Sequence, residues 1–156
     1  MEKLSYRILI VLIVFIVGTV ITVQSMKNGW YRNSGVQVSK SQPPGYVFSV
    51  VWIFLYTIYA IIWEYLAEHK LPKWINTLFI INMILNLAWT WVFFGCGDIF
   101  LSKIIILLLL ILTFYQAYAV YTYTKTKWTD VCATCLFLFY GGWLTIATAL
   151  NFQVHY

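Results

Sequence analysis

Among the side chains that could do chemistry, Cys132 and Cys135 stand first, because a C-x-x-C spacing in a soluble protein signals redox exchange or half of a zinc site. Here the pair opens one apolar segment while the third cysteine, Cys96, follows another, so the three sulfurs fall at opposite membrane faces and cannot share a metal. Small residues packing between helices are the plainer reading. His69 and His155 are separated in the same way, which argues against a haem held by two imidazoles of one chain. The sequence has no G-x-S-x-G elbow and no serine, histidine and carboxylate set that could meet. Of the five acidic residues only Glu64 sits inside an apolar segment, where a carboxylate suggests a proton or cation site of a transporter. Its place near the segment's end, beside Glu68, His69 and Lys70, lets it reach the membrane interface instead, and this is the stronger reading. No catalytic set and no metal site are expected.

These residues ride on elements unlike those of a soluble domain. Of 156 residues, 62% are apolar, 20% aromatic and only 10% charged, a balance that belongs in a bilayer. Crossing a hydrocarbon core about 30 Å thick takes roughly 20 apolar residues of helix, because only bonds within the segment can satisfy the backbone there. Windows of that kind cover residues 4–23, 46–66, 74–94, 99–123 and 131–154. They predict an all-α membrane protein, a bundle of five transmembrane helices forming one domain over residues 1–156. The first window also has the look of a signal peptide, but it exceeds the usual apolar core of about 7–15 residues, and "ITVQSMKNG" offers no A-x-A-like cleavage site. Six basic residues (Lys3, Arg7, Lys70, Lys73, Lys125, Lys127) share the side of the N-terminus and four (Lys27, Arg32, Lys40, Lys103) the other, a weak lean toward a cytoplasmic N-terminus. The net charge of +5 suits an anionic membrane surface, and nothing in the chain suggests a nucleic-acid partner. One long connection, from about Gln24 to Gly45, carries Trp30 and Tyr31 and ends on two prolines. Pro43 or Pro44 is expected in the first turn of helix two, where no amide donor is needed and φ is preset.

The helices then align side chains. Helix two sets Trp52, Tyr56, Tyr59 and Trp63 on one stripe of large rings with polar tips. Helix three does the same with Asn82, Asn86, Trp89 and Phe93, and helix five with Tyr140, Trp143, Ala147, Leu150 and Val154, where Ala147 leaves room between bulky neighbours. Aromatic walls with a few amide, hydroxyl and indole groups are what a large, flat, lipophilic ligand needs. The same stripes would serve plain helix packing, with Asn82 and Asn86 bonded across the bundle, and periodicity by itself leans that way.

Four stretches add to this: "WY" at Trp30 and Tyr31, "PPGYVFSVVWIFLYTIY" from Pro43, "ILNLAWTWVFFG" from Ile84 and "YGGWLTIATALN" from Tyr140. In this order, over nearly the whole chain, they closely resemble the signatures of the translocator protein family (TspO/MBR, the peripheral benzodiazepine receptor type). The resemblance implies a five-helix bundle, commonly a homodimer, that binds tetrapyrroles such as protoporphyrin and haem, certain sterols, and benzodiazepine- or isoquinoline-type drugs in a pocket under the first loop. Carried over residue by residue, it implies ligand contacts from Trp30, Trp52, Tyr56, Asn86, Trp89, Phe93, Trp143, Ala147 and Leu150, with Pro43 and Pro44 anchoring a lid-like loop. With the resemblance, the pocket becomes the favoured reading of the stripes.

The function so implied is a membrane receptor or carrier for porphyrin-type and other flat lipophilic ligands, with no cofactor required and Lys27, Arg32 and Lys40 meeting the ligand's carboxylates. Two other functions stand beside it. Light- and oxygen-dependent porphyrin breakdown, proposed for some bacterial relatives, would here rest on Trp30 and Trp143; cation-coupled transport would centre on Glu64. The chain also departs from the family pattern. Prolines usual on helices three and five are replaced by Trp91 and Phe139, so local kinks and pocket shape are expected to differ. The sterol motif of animal members needs a tyrosine and then a basic residue after "LN", whereas this chain reads "LNFQVHY". High-affinity cholesterol binding is not expected.

Overall fold

In a computed structural model of the chain, which describes residues 5–28, 35–38, 40–69, 71–123 and 126–156, the apolar windows form five helices. These are α1 (Tyr6–Lys27), α2 (Gly45–Glu68), α3 (Lys73–Cys96), α4 (Ile99–Tyr123) and α5 (Lys127–Gln153), each long and apolar enough to cross a membrane. The all-α, five-helix expectation holds. Helix ends depart from the apolar windows where capping outweighs hydrophobicity. α5 starts four residues early, at Lys127 instead of 131, because Thr126 and Thr129 form a capping box. The Thr129 amide donates to the Thr126 hydroxyl at 3.3 Å and the Thr126 amide donates to Thr129 Oγ1 at 2.9 Å. The expected role of the prolines needs correction: Pro44 is the cap residue, extended at ψ 147°, and the first helical residue is Gly45. Proline stiffens the entry to α2 from outside the first turn.

The helices close a ring in which α1 lies against α2 and α3, α4 packs against α3 and α5, and α5 returns to α2. Outward faces carry exposed apolar side chains such as Leu12, Ile16, Phe100, Ile111 and Ile146, as a lipid-facing surface must.

Two of the helices are irregular. Trp91–Cys96 of α3 and Leu136–Gly141 of α5 are wound as π-helix, which takes an extra residue into the turn and locally gives up the regular hydrogen-bond ladder. These turns contain Trp91 and Phe139, the positions at which the family resemblance leads one to expect proline. A proline would disturb the same ladder by removing a donor and crowding the preceding turn. The irregularity therefore occurs without the residue that commonly causes it, and Trp91 and Phe139 themselves point outward, 55% and 46% exposed.

Two glycines allow close approach and turning. A Cβ at Gly141 would stand 2.7 Å from Cε1 of Phe114, so α4 and α5 meet at this spacing only over a bare backbone. Gly97 ends α3 at φ 72°, in the left-handed region that side chains disfavour. Asp98 then caps α4, its carboxylate accepting from the Leu101 amide at 2.8 Å.

Candidate ligand-binding site

Between α1, α2, α3 and α5, toward the ends where α1 and α3 finish and α2 begins, lies a cavity of about 400 Å³. Trp52, Tyr56, Asn86, Trp89, Phe93, Ala147 and Leu150, all anticipated from sequence, line it together. Trp143 stands one layer back. Its buried ring is edge-on to Phe48 (5.5 Å, 70°) and Trp52 (6.4 Å, 89°), and these two rings form the wall in front of it. Trp30 lies outside the described residues, so of the two tryptophans invoked for porphyrin breakdown the one described does not line the cavity. Pro43 and Pro44 do not line it either, although Gln42 and Gly45 on either side of them do.

The stripe on α2 divides. Trp52 and Tyr56 face the cavity, while Tyr59 and Trp63 are 1% and 0% exposed in the packed remainder of the bundle. A chain of hydrogen bonds leads from one region into the other. The Tyr56 hydroxyl donates to Asn86 Oδ1 (2.5 Å), Asn86 Nδ2 to the Tyr140 hydroxyl (3.0 Å), and that hydroxyl to Asn82 Oδ1 (3.0 Å). Asn82 Nδ2 donates to Thr113 Oγ1 (2.9 Å) and Gln116 Oε1 (3.2 Å), and Gln116 Nε2 to the Tyr59 hydroxyl (3.1 Å), whose own proton has two acceptors at 3.3 Å, the Phe79 carbonyl and Gln116 Oε1. Both readings of Asn82 and Asn86 are thus partly met: Asn82 braces the bundle, and Asn86 braces it while showing a face to the cavity. Pairing of this kind is what lets amides lie in an apolar interior.

Sequence reasoning missed the α1 wall. Phe15, Gly18, Thr19, Thr22, Val23 and Met26 line the cavity, and the available signal was Gly18, Thr19 and Thr22 interrupting a run of branched aliphatics. Both threonines spend their protons on their own helix, Thr19 Oγ1 on the Phe15 carbonyl (2.7 Å) and Thr22 Oγ1 on that of Gly18 (2.9 Å), so the wall they present is largely apolar. No Asp, Glu, Lys, Arg or His is among the described residues lining the cavity. Lys27 and Lys40 are exposed and close in sequence to the lining residues Met26 and Gln42, but do not enter it; Arg32 is outside the described residues. The Trp89 indole N–H and one end of the Asn151 amide are buried with no partner among the described residues.

The reactive residues lie elsewhere. Glu64 is at the far end of α2, where Arg7 Nη1 approaches its carboxylate at 3.4 Å and the Ser5 hydroxyl donates to it. That contact ties the start of α1 to the last turns of α2, away from the cavity. Cys96, Cys132 and Cys135 are free thiols, and no three His, Cys, Asp or Glu among the described residues converge to hold a metal.

Five membrane-crossing helices, four of which wall an aromatic cavity with no charged side chain among its described lining residues, define a multi-pass integral membrane protein with an internal site of ligand size. The sequence profile of the TspO/MBR family matches residues 7–156, and the chain belongs to that family. It is similar to the tryptophan-rich protein TspO of Archaeoglobus fulgidus, 29% identical over 155 residues, an alignment spanning 98% of this chain and 95% of that protein.

Proposed function

We propose that the protein is a membrane receptor or carrier that takes flat lipophilic ligands of the porphyrin type into the cavity between α1, α2, α3 and α5. The observation that carries this reading is the wall. Phe48, Trp52, Tyr56, Trp89 and Phe93 surround about 400 Å³ with no charged side chain among the described lining residues. A volume of this order suits a small-molecule site, commonly about 300–1,000 Å³. Ring faces supply burial and dispersion, and Tyr56 and Asn86 are held in place by the buried chain of hydrogen bonds. A porphyrin's carboxylates meet no counter-charge among the described lining residues, so they stay at the rim in water, on the side where Lys27 and Lys40 are exposed. The ligand thus enters with its hydrophobic edge first.

The test is titration of the purified, detergent-solubilised protein with protoporphyrin IX, following tryptophan quenching and the porphyrin absorption band. Saturable binding in the low-micromolar range or tighter is expected. Ala147→Phe, which drives a ring into the cavity, should weaken it by about a hundredfold (~2.7 kcal/mol). Equal affinity in the two proteins would move the ligand to another site.

A further inference from the structure

The connection before α2 and the end of the chain are joined backbone to backbone. The Gln37 amide donates to the His155 carbonyl at 2.7 Å and the His155 amide donates to the Gln37 carbonyl at 3.2 Å, an isolated antiparallel bridge. Its flanking side chains are sorted as in a sheet. Val36 and Val154, 8% and 3% exposed, pack with Phe93 and Ile99 in one apolar cluster, while Gln37 and His155 face outward. The Tyr156 hydroxyl donates to the Gly97 carbonyl, fastening the last residue to the turn between α3 and α4. Phe93 and Val154 are at the same time wall residues of the cavity. The bridge therefore ties together the α1–α2 connection, the α3–α4 turn and the end of α5 directly behind that wall.

We propose that residues 36–37 and 154–156 form a backbone clasp that governs exchange between the cavity and its surroundings, so that the state of the C-terminal tail and the occupancy of the cavity are linked. Each bond of an exposed bridge contributes little net stability, because water replaces it on opening. The clasp consequently opens far more often than the bundle unfolds. Opening it withdraws Val36 and Val154 from Phe93 and loosens one side of the wall. The linkage is reciprocal: a guest resting on Phe93 and Val154 holds the clasp shut, and anything that captures the tail opens the cavity. Because the bonds are main-chain, the side chain at 155 takes no part in the bridge, its ring meeting only the Gln153 carbonyl of its own segment (Nδ1 at 2.9 Å), whereas a residue without an N–H at position 37 abolishes one bond outright.

The clasp rests on the ligand-pocket reading for its physiological meaning, but its test needs no ligand. In full-length protein with Cys96, Cys132 and Cys135 replaced by serine, Ala147→Cys reports access to the cavity through its rate of alkylation by N-ethylmaleimide. Gln37→Pro, and separately deletion of His155 and Tyr156, should each raise that rate about tenfold, the scale of losing one or two marginal backbone bonds. His155→Ala should leave it unchanged. Rates equal to the parent's in both clasp variants, or raised equally by His155→Ala, would overturn the proposal. Release of protoporphyrin IX to excess apomyoglobin should accelerate by the same factor. If the wild-type protein binds no porphyrin, the functional reading fails while the alkylation rates still decide the clasp.

Discussion

Along the axis of α2 the bundle has a hollow half and a solid half, made from the same kinds of residue. In the solid half Trp63 stacks on Phe79 (5.4 Å, 20°), and Tyr59 lies 5.1 Å from the rings of both Phe79 and Tyr140. Its polar groups are paired: Asn82, Gln116 and Tyr140 belong to the hydrogen-bond chain, and the Trp63 indole donates to Asn76 Oδ1 at 2.8 Å. In the hollow half aromatic rings face Gly18 and Ala147 across open space, and the Trp89 indole N–H and part of the Asn151 amide have no partner among the described residues. Residue type does not separate packing from binding here. Free volume does: unpaired buried polar atoms occur away from the lining too, at Arg7 Nε, Trp143 Nε1 and Thr148 Oγ1, but only at Trp89 and Asn151 do they stand where a bound molecule could supply the missing partner.

Four substitutions would break or sharpen this contrast. The largest effect is expected from Ala147→Phe, which makes the hollow half solid: the hundredfold loss of porphyrin affinity should come with a thermal midpoint close to the parent's, and a collapsed midpoint would show that the space is not there to be filled. Gly141→Ala attacks the solid half. Its new Cβ would lie 2.7 Å from the Phe114 ring, which should cost about 1–3 kcal/mol of stability and be partly relieved by Phe114→Leu. An unchanged midpoint in thermal unfolding would mean that α4 and α5 are not held at that spacing. Asn82→Ala removes an acceptor from Tyr140 and a donor from Thr113 and Gln116; a loss of about 1–2 kcal/mol is expected, with ligand affinity falling far less than in Ala147→Phe. The reverse order of effects would make the hydrogen-bond chain part of the binding site. Smallest is Glu64→Gln, outside both halves, which weakens an edge contact with Arg7. Less than about 1 kcal/mol of stability should be lost and porphyrin binding should stay within about twofold; abolished binding would return Glu64 to the centre of a transport mechanism.

The five helices were legible in the sequence because the bilayer imposes a run length that any window can measure. The inward faces of α2, α3 and α5 were legible too, since Trp52 and Tyr56, Asn82 and Asn86, and Trp143 and Ala147 recur at helical spacing, each pair on one helix, among side chains of different size and polarity. That of α1 was not: its residues are apolar nearly all round, so partners decide which side turns inward. The π turns at Trp91–Cys96 and Leu136–Gly141 also gave no local signal, since neither stretch contains the proline that would announce a disturbed ladder.

Taken by itself, then, the amino-acid order determined that this chain crosses a membrane five times and which aromatic and amide residues share a helix face, because both properties are local and periodic. Tertiary structure decided that the α2 stripe splits between Tyr56 and Tyr59 into cavity and core, that α1 supplies a wall, that Trp143 stands behind Trp52, and that residue 37 meets residue 155. Those outcomes depend on which side chains meet from distant parts of the chain and on whether their volumes and polar atoms are used up there, a balance that exists only once the helices have packed.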